Sequence, residues 1–401
     1  MRLLILSLEY PPYVVGGLGR HVAELAPALA GQRIDVHVVT PTATMSDVGV
    51  TIEQGVTVHR VFAPSLNAKS DVYDRVTSVN HTLEHYLLHQ QDQKYDLIHV
   101  HDWLTGFAGI RLQRAWRIPL VATIHATERG RGRGYISNDL QRAIDEAERV
   151  LIHTANHLIV CSRYMAEEVQ KYFHTNPGRI DVVPNGVDIA GLHVNSHPTA
   201  LTDFRARYAD EDDRIVFSVA RLVHEKGLHR LVDAAPVIFD EFPQARIIIA
   251  GKGPEAEHLQ RTVNNLGISD RVTFVGFISD EERNMFFKIA SCAIFPSLYE
   301  PFGIVALEAM ALGCPVIVSD VGGLAEIVNH TENGLTIYPD DAESVAWGVL
   351  RVLNHPKWAL ERADRAYKYV DELFNWSRIA RLTRAVYRRT LQPDQTAKLS
   401  T

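Results

Sequence analysis

Short, nearly continuous apolar runs rich in Val, Ile and Leu recur along the chain, with amphipathic stretches between them. A parallel strand that is covered by helices on both faces is apolar at successive positions rather than at alternate ones. The runs therefore predict buried parallel strands separated by helices. They form two series, beginning at residues 3, 35, 97, 120, 157 and 180, and then at residues 215, 246, 271, 292, 315 and 334.

The segment between the first two runs reads HVAELAPALAGQ, residues 21–32, and its apolar positions recur at helical spacing up to Gly31. Glycine commonly terminates a helix, so this segment predicts a β-α-β unit. Two successive alternating series predict two doubly wound α/β domains. Ligands of such sheets bind beyond the carboxyl ends of the strands, so polar residues at those ends are the functional candidates.

The domain boundary is predicted in VPNGVDIAGLHVNSHPTA, residues 183–200, where Pro, Asn-Gly and Ser-His-Pro interrupt the periodicity. We assign residues 1–190 to the first domain and residues 191–375 to the second. The last periodic stretch, WSRIARLTRAVYRRT, is basic and amphipathic and has no strand after it. Residues 376–401 are therefore predicted to form a helix and a tail.

Composition narrows the class of protein. The chain has 401 residues, which is too long for one ordinary core and suits two domains. Lys and Arg number 41 against 48 Asp and Glu, a formal net charge of −7. This balance argues against a nucleic-acid binder or a polybasic membrane binder, so any phosphate must be held by local groups.

The cysteines and the first residues indicate the compartment. Cys161, Cys292 and Cys314 are odd in number and lack metal-ligand spacing, which favours free thiols in a reducing environment. The apolar run in MRLLILSLEYPP is far shorter than a signal sequence or a membrane span. We therefore expect a cytoplasmic protein with no transmembrane segment.

Two segments in the first domain carry candidate residues at strand ends. PPYVVGGLGRH follows the first strand, and the backbone amides of Gly16 and Gly17 could approach a phosphate at a helix N-terminus, although a tight structural turn would use the same residues. Asp102 follows the strand LIHVH and His125 ends the strand LVATIH. Each side chain either takes part in the function or is a structural group whose hydrogen bonds are made within the protein.

Metal binding is not expected. His99 and His101 could be ligands, but no third ligand follows them at a suitable spacing. Asp210 and Asp212 form a D-x-D match, which can hold a divalent metal on a sugar nucleotide. This match precedes a strand instead of following one, so we expect an exposed acidic turn.

In the second domain, the stretch SVARLVHEKG brings Arg221 and Lys226 to the end of a strand. Two cations there suit a diphosphate, although surface salt bridges are the alternative. The stretch EPFGIVALEAMALGCPVIVSD then places Glu300 in a loop and Glu308 in a helix that begins near Gly303. The free amides at that helix N-terminus could bind a phosphate, and the two carboxylates could accept hydrogen bonds from sugar hydroxyls.

Taken together, these segments resemble the large retaining glycosyltransferase family that contains glycogen, starch and sucrose synthases. The resemblance covers nearly the whole chain. Its most specific part is the pair Glu300 and Glu308, which seven residues separate in the EPFG segment. It rests on EYPP with VVGGLGRH, HDW, ATIHATE, VCSRYM, VPNGVD, RLVHEKG and EPFGIVALEAMALGCPVIVSDVGGLAEIV. It implies an α/β GT-B fold, with two Rossmann-like domains facing a cleft and a last helix crossing back to the first domain.

The resemblance also implies roles for single residues. Arg221 and Lys226 would neutralise the leaving diphosphate, while His125 and Asp102 would contact the donor sugar near the reacting carbon. Glu300 would hold donor-sugar hydroxyls. The remaining donor-binding residues would be Gly16, Gly17, Gly303, Ile304, Val305 and Glu308, with Glu308 at the ribose.

The expected activity is metal-independent transfer of a hexose, with retention, from ADP-glucose or UDP-glucose to an α-glucan or a sugar phosphate, without a cofactor. The chain departs from bacterial and plant glycogen synthases at Val14, which stands near the usual place of a Lys, and at Phe302, where Cys is common. The match is therefore to the broader family. A non-catalytic carbohydrate-binding scaffold and a sugar-nucleotide epimerase are the alternatives.

A segment after His125, ATERGRGRGYISND, carries Arg129, Arg131 and Arg133 among glycines. One interpretation is a mobile, solvated loop. The other is that at least one guanidinium meets an anionic acceptor or the donor diphosphate, because the fork of an arginine suits phosphate.

Overall fold

The computed structural model describes residues 1–14, 16–90, 94–192 and 198–392. These residues divide into two compact units, one of Met1–Gly186 together with the segment that begins at Trp376, and one of Val187–Asn375. The division falls inside the segment that the sequence predicted as a linker. Residues 193–197 of that linker and the tail after residue 392 lie outside the described residues.

The first unit is built on an eight-stranded sheet in the order β3-β4-β2-β1-β5-β6-β7-β8. Its neighbouring strands are parallel except for the β3–β4 pair at one edge. The strands are β1 (Arg2–Leu6), β2 (Asp35–Thr42), β3 (Gly49–Glu53), β4 (Val56–Phe62), β5 (Leu97–His101), β6 (Leu120–Ile124), β7 (His157–Val160) and β8 (Ile180–Val182).

The helices of this unit cover the sheet as the β-α-β pattern requires. The first of them ends at Ala30 with Gly31 as its C-cap, as the sequence predicted, but it begins four residues earlier than the predicted segment. The helices are α1 (Gly17–Ala30), α2 (Val72–Leu88), α3 (Gly106–Trp116), α4 (Glu128–Arg131), α5 (Asp139–Thr154) and α6 (Arg163–Phe173).

The second unit has a six-stranded sheet in the order β11-β10-β9-β12-β13-β14, with every neighbouring pair parallel. Its strands are β9 (Arg214–Val219), β10 (Ala245–Ala250), β11 (Val272–Gly276), β12 (Cys292–Phe295), β13 (Val316–Ser319) and β14 (Leu335–Ile337). Its helices are α7 (Pro198–Arg205), α8 (Leu228–Glu241), α9 (Ala256–Asn265), α10 (Asp280–Ile289), α11 (Ile304–Ala311), α12 (Leu324–Ile327), α13 (Ala342–Asn354) and α14 (Pro356–Leu373).

The last helix, α15 (Trp376–Leu391), belongs to the first unit. Ile379 and Tyr387 of this helix are fully buried in the core that α1, β1 and β2 form. The hydroxyl of Tyr387 lies 2.7 Å from Nδ1 of His99 in β5. This return of the chain confirms the crossing-back helix that the resemblance implied.

Strand order also identifies where ligands should bind. In each sheet the order reverses once at the centre, between β1 and β5 in the first unit and between β9 and β12 in the second. A crevice opens at such a switch point, beyond the carboxyl ends of the strands. Asp102 follows β5, while Lys226 and Glu300 lie in the loops after β9 and β12, so these predicted site residues fall at the switch points.

The chain offers no candidate for a membrane span among the helices that the structure describes.

Candidate active site

The loops after β9 and β12 bring together a cation and a carboxylate. Lys226 Nζ lies 2.6 Å from Glu300 Oε2, and both side chains are less than one-fifth exposed. Lys226 ends a 3₁₀ turn, and Gly227 follows it with φ 65°, where a Cβ would stand 1.9 Å from the carbonyl oxygen of Pro296. Only glycine permits that close approach, which fixes the position of Lys226 beside β12.

Hydrogen bonds join these two loops to each other and to the loop after β13. The backbone amide of Leu298 donates to the carbonyl oxygen of Glu225 at 2.8 Å, and the amide of Gly323 donates to the carbonyl oxygen of Glu300 at 2.9 Å. Glu300 and Lys226 therefore sit on fixed backbone. In this pair the ammonium keeps further donors and the carboxylate keeps one oxygen for a ligand.

Arg221 lies in a different setting from Lys226. Its side chain is 69 % exposed and forms its ion pair with Glu225, at 3.6 Å. The structure places Arg221 in the predicted loop after β9, but in the company of Glu225 and not of Glu300. Its role at a diphosphate stays a prediction.

The N-terminus of α11 provides backbone donors in the same region. Gly303 is the N-cap with φ 101°, and a Cβ there would meet Leu324 Cδ2 at 2.5 Å. The first amides of a helix have no intrahelical acceptor, and they carry the positive end of the helix dipole. Ile304 and Val305 supply these amides, and this arrangement is suited to an anion such as phosphate.

Glu308 is buried one turn into α11, and sequence reasoning did not identify its partner. Arg283 of α10 places Nη1 3.3 Å from Glu308 Oε2, and both side chains are less than one-tenth exposed. A buried charge requires such a partner. Arg283 also contacts Asp280 within the first turn of its own helix, so its sequence context suggests only a surface i,i+3 pair.

In the first unit, Asp102 and His125 are adjacent because they follow the neighbouring strands β5 and β6. The backbone amide of His125 donates to Asp102 Oδ1 at 2.7 Å. Burial raises the pKa of Asp102 to about 6 and lowers the pKa of His125 to about 4. The imidazole of His125 is therefore neutral near neutral pH, able to donate or accept a hydrogen bond without carrying charge.

Two further histidines surround His125. His101 Nδ1 lies 3.0 Å from His125 Nε2, and His21 of α1 places its ring 4.8 Å from that of His125. His21 Nδ1 contacts Asn185 Oδ1 at 2.7 Å. The sequence argument looked for a third ligand close to His99 and His101 along the chain, so it did not identify His21, and the expectation that no metal binds stays a prediction. His21 arrives from the first helix.

The glycine pair at the start of α1 meets a carboxylate. Gly16 is the N-cap of this helix, and its backbone amide donates to Glu9 Oε2 at 3.1 Å. A second anion at Gly16 and Gly17 would be repelled by Glu9. The phosphate role of these glycines stays a prediction, and the N-terminus of α11 is better suited to it.

The arginine-rich segment contains a short helix, α4, which ends before Arg133, and its arginines differ. Arg129 forms a two-pronged ion pair with Asp145, at 2.6 and 2.9 Å. Arg131 and Arg133 are exposed, and Arg131 contacts Glu128 at 3.4 Å. Arg129 is thus already committed to a carboxylate, whereas the exposed pair can reach a ligand.

The acidic D-x-D match lies where the sequence predicted. Asp210, Glu211 and Asp212 are exposed in a turn before β9. That turn stands at the amino end of the strand, away from the carboxyl ends where Lys226 and Glu300 lie.

Comparison with known proteins covers both units. Residues 201–371 match the family described as glycosyl transferases group 1, and residues 15–190 match glycosyltransferase family 4. The chain is 35 % identical to an uncharacterised glycosyltransferase of Methanocaldococcus jannaschii, over 97 % of this chain and 98 % of the relative. It is 33 % identical to a glycogen synthase of Mycobacterium tuberculosis, over 96 % and 94 %.

Among solved structures, a sucrose-phosphate synthase from Thermosynechococcus elongatus is similar, with a TM-score of 0.81 and 28 % identity. The alignment covers 97 % of this chain and 98 % of that one.

Proposed function

The chain belongs to the glycosyl transferases group 1 family and is a nucleotide-sugar-dependent transferase of the GT-B fold. From that premise we propose a finer function. The protein transfers glucose, with retention of configuration, from ADP-glucose or UDP-glucose to a saccharide acceptor, either an α-glucan or a sugar phosphate. A glycogen synthase and a sucrose-phosphate synthase among its relatives support glucose as the transferred hexose.

The observation that carries this proposal is the Lys226–Glu300 pair beside the N-terminus of α11. A departing nucleoside diphosphate needs positive charge that is already in place, because fixed donors lower the barrier without reorganising. Lys226 and the amides of Ile304 and Val305 supply it. Glu300 then accepts hydrogen bonds from hydroxyls of the glucose ring, and Glu308 accepts them from the ribose.

The proposed reaction is a front-face displacement. The acceptor hydroxyl oxygen forms a bond to C1 of glucose while the bond from C1 to the diphosphate oxygen breaks. The proton of that hydroxyl passes to the leaving phosphate oxygen, so the products are a glucoside of retained configuration and a nucleoside diphosphate. His125 and Asp102 contact the donor sugar, and no side chain forms a covalent intermediate.

The test is incubation of the full chain with ADP-glucose or UDP-glucose and either maltooligosaccharides or hexose phosphates. Nucleoside diphosphate release is measured by a coupled assay, and the anomeric configuration of the product by proton NMR. We expect release that depends on an acceptor, and an α-linked product. An inverted product would overturn retention. Binding without release would favour the non-catalytic scaffold, and a converted sugar nucleotide without an acceptor would favour the epimerase.

A further inference from the structure

A cluster of three histidines in the first unit has the arrangement of a metal site. His21 comes from α1, His101 from the end of β5 and His125 from the loop after β6. Their ligating nitrogens all lie within 4.8 Å of one another. Two ligands of one tetrahedral zinc ion stand about 3.3 Å apart, given bonds of about 2.0–2.1 Å. The 3.0 Å between His101 Nδ1 and His125 Nε2 is already close to that separation.

Two nitrogens in the cluster are buried without a hydrogen-bond partner. They are His21 Nε2 and His101 Nε2, and the two residues are 3 % and 0 % exposed. Only His21 Nε2 bears on the ion, because His101 would bind it through Nδ1, and the two nitrogens of one ring do not bind the same ion. Burying a polar atom unpaired is costly, so such atoms indicate an absent ligand or water. The side-chain oxygen of Asn185 can only accept, so His21 Nδ1 carries the proton and His21 Nε2 presents a lone pair to the cluster.

The neighbouring histidine shows what a satisfied core residue looks like. His99 uses one ring nitrogen with Thr123 Oγ1 at 2.7 Å and the other with the Tyr387 hydroxyl at 2.7 Å. It has no nitrogen left for a ligand. His21 differs, because Asn185 occupies one of its nitrogens and thereby orients the other, as outer partners of metal-binding histidines do.

The surroundings also suit a cation. Asp102 is 8 % exposed and accepts a hydrogen bond from the backbone of His125. A carboxylate next to the cluster can offset part of the charge of a divalent ion. Three imidazoles with a fourth position left for water form a donor set that zinc favours.

We propose that His21, His101 and His125 bind one divalent cation of the zinc type, and that the bound cation inhibits sugar transfer because it occupies the imidazole of His125. The inhibition rests on the proposed function, whereas the binding does not. Zinc is thus a reversible inhibitor at this site and takes no part in the reaction.

The decisive experiment uses Co²⁺, because a tetrahedral cobalt site has an intense visible absorption that needs no enzymatic readout. The full chain is stripped with EDTA, dialysed and titrated with Co²⁺, and Zn²⁺ is then added. We expect Co²⁺ bound at this one buried site to give the absorption, and we expect the absorption to vanish when zinc displaces cobalt. Wild-type protein without this absorption would overturn the proposal, whatever the variants do.

Variants locate the site. His21→Gln removes a ligand that has no assigned part in transfer, and it should weaken zinc binding by at least about a hundredfold, since loss of even an outer partner costs 10–100-fold. Zinc should inhibit the wild type, with reversal by EDTA, and inhibit His21→Gln far less. Equal inhibition of both proteins would overturn the proposal.

The matched control is a pair of exposed histidines at the C-terminal end of α2. His85 and His89 stack with ring centroids 4.1 Å apart and could bind zinc at the surface. His85→Gln/His89→Gln should keep both the cobalt absorption and the inhibition. Loss of the absorption and the inhibition in this variant would assign the metal to His85 and His89 instead.

A normal cobalt absorption in a protein that releases no nucleoside diphosphate would leave the metal site intact and reject the proposed function.

Discussion

Nζ of Lys226 lies 2.6 Å from Oε2 of Glu300, so two residues with separate expected roles form one ion pair across neighbouring loops. Both charges are largely removed from water, and each orients the other. A sugar and a phosphate bound at this pair would be coupled, since movement of the ammonium towards the phosphate frees carboxylate oxygen for sugar hydroxyls.

Lys226→Ala should lower kcat by about a hundredfold or more, because one preorganised charge contact is worth about 3 kcal/mol in the transition state. Steady-state release of nucleoside diphosphate measures this. Arg221→Ala should also lower turnover, with a loss that shrinks in high salt because the guanidinium is 69 % exposed. Lys357→Ala, in an exposed position on α14, is the control. Turnover close to wild type in Lys226→Ala would reject the assigned role.

Glu308→Gln should make the protein discriminate less between nucleotides that carry ribose hydroxyls and nucleotides that lack them. A hydrogen bond to a charged acceptor is worth about 1.5–3 kcal/mol, so the wild type should bind a nucleoside diphosphate at least about tenfold more tightly than its 2′,3′-dideoxy analogue. The ratio should fall towards one in the variant. Calorimetry with both ligands gives the two affinities, and an unchanged ratio would contradict a ribose contact.

The Arg283–Glu308 pair separates folding from binding at the same residue. Arg283→Met alone removes the guanidinium that faces a buried carboxylate and should cost about 3–5 kcal/mol of unfolding free energy. Arg283→Met with Glu308→Leu replaces both charges and should recover most of that loss while ribose discrimination stays lost. Urea unfolding measures the stability. Failure of the double variant to recover would show that the pair has a further structural role.

The exposed arginines after His125 should affect the acceptor more than the donor. Arg131→Gln/Arg133→Gln should raise KM for a hexose phosphate by about tenfold, with little change for a neutral glucan, because one charge-assisted contact is lost. Arg129→Gln is the comparison, and it should lower thermal stability because its partner Asp145 is 8 % exposed. Identical kinetics on every acceptor would leave only a structural role for the segment.

Chelation should not abolish transfer. In the proposed mechanism Lys226 and the amides at α11 supply the positive charge at the diphosphate, so EDTA should leave kcat intact. Preparations that carry zinc should become more active after chelation. A strict requirement for Mn²⁺ would contradict the assignment of Lys226 and α11.

Stability should fall as pH falls from about 6.5 to about 4, partly because of His59. Burial is the main cause that lowers the pKa of this ring to about 4. Its nitrogens lie 3.0 Å from His37 Nδ1 and 2.9 Å from the Tyr86 hydroxyl. Between the two pKa values the unfolded chain binds a proton that the folded chain does not, so acid favours unfolding.

The contribution of His59 is on the order of 2 kcal/mol once solvent screening is allowed for. Urea unfolding at several pH values measures it, and His59→Gln should have the shallower slope between pH 6.5 and 4. Parallel slopes would show that His59 does not titrate in this range.

The parallel strands were predictable because burial on both faces leaves continuous apolar runs, and every predicted run is a strand in the structure. The β3–β4 pair was missed. β4 reads VTVHRVF, with buried and half-buried residues interspersed, and β3 is exposed over most of its length. Neither has the continuous pattern on which the prediction depended.

The candidate site was predictable only as far as strand ends identify residues. Asp102, His125, Lys226 and Glu300 follow directly from that rule. Arg283 and His21 do not, because each enters from a helix, and a charged or polar helix residue is usually exposed. Only tertiary packing shows that Arg283 meets Glu308 and that His21 meets His125.

The return of α15 to the first unit has a consequence for synthesis of the chain. Trp376, Ile379 and Tyr387 fill the core beneath β1 and β5, yet they are made after the whole second unit. Domains generally fold as they leave the ribosome, in order from the N-terminus. Here part of the apolar core of the first unit stays unfilled until nearly the entire chain has been translated. The nascent protein is therefore most exposed to aggregation, and most dependent on chaperones, before residue 387 emerges.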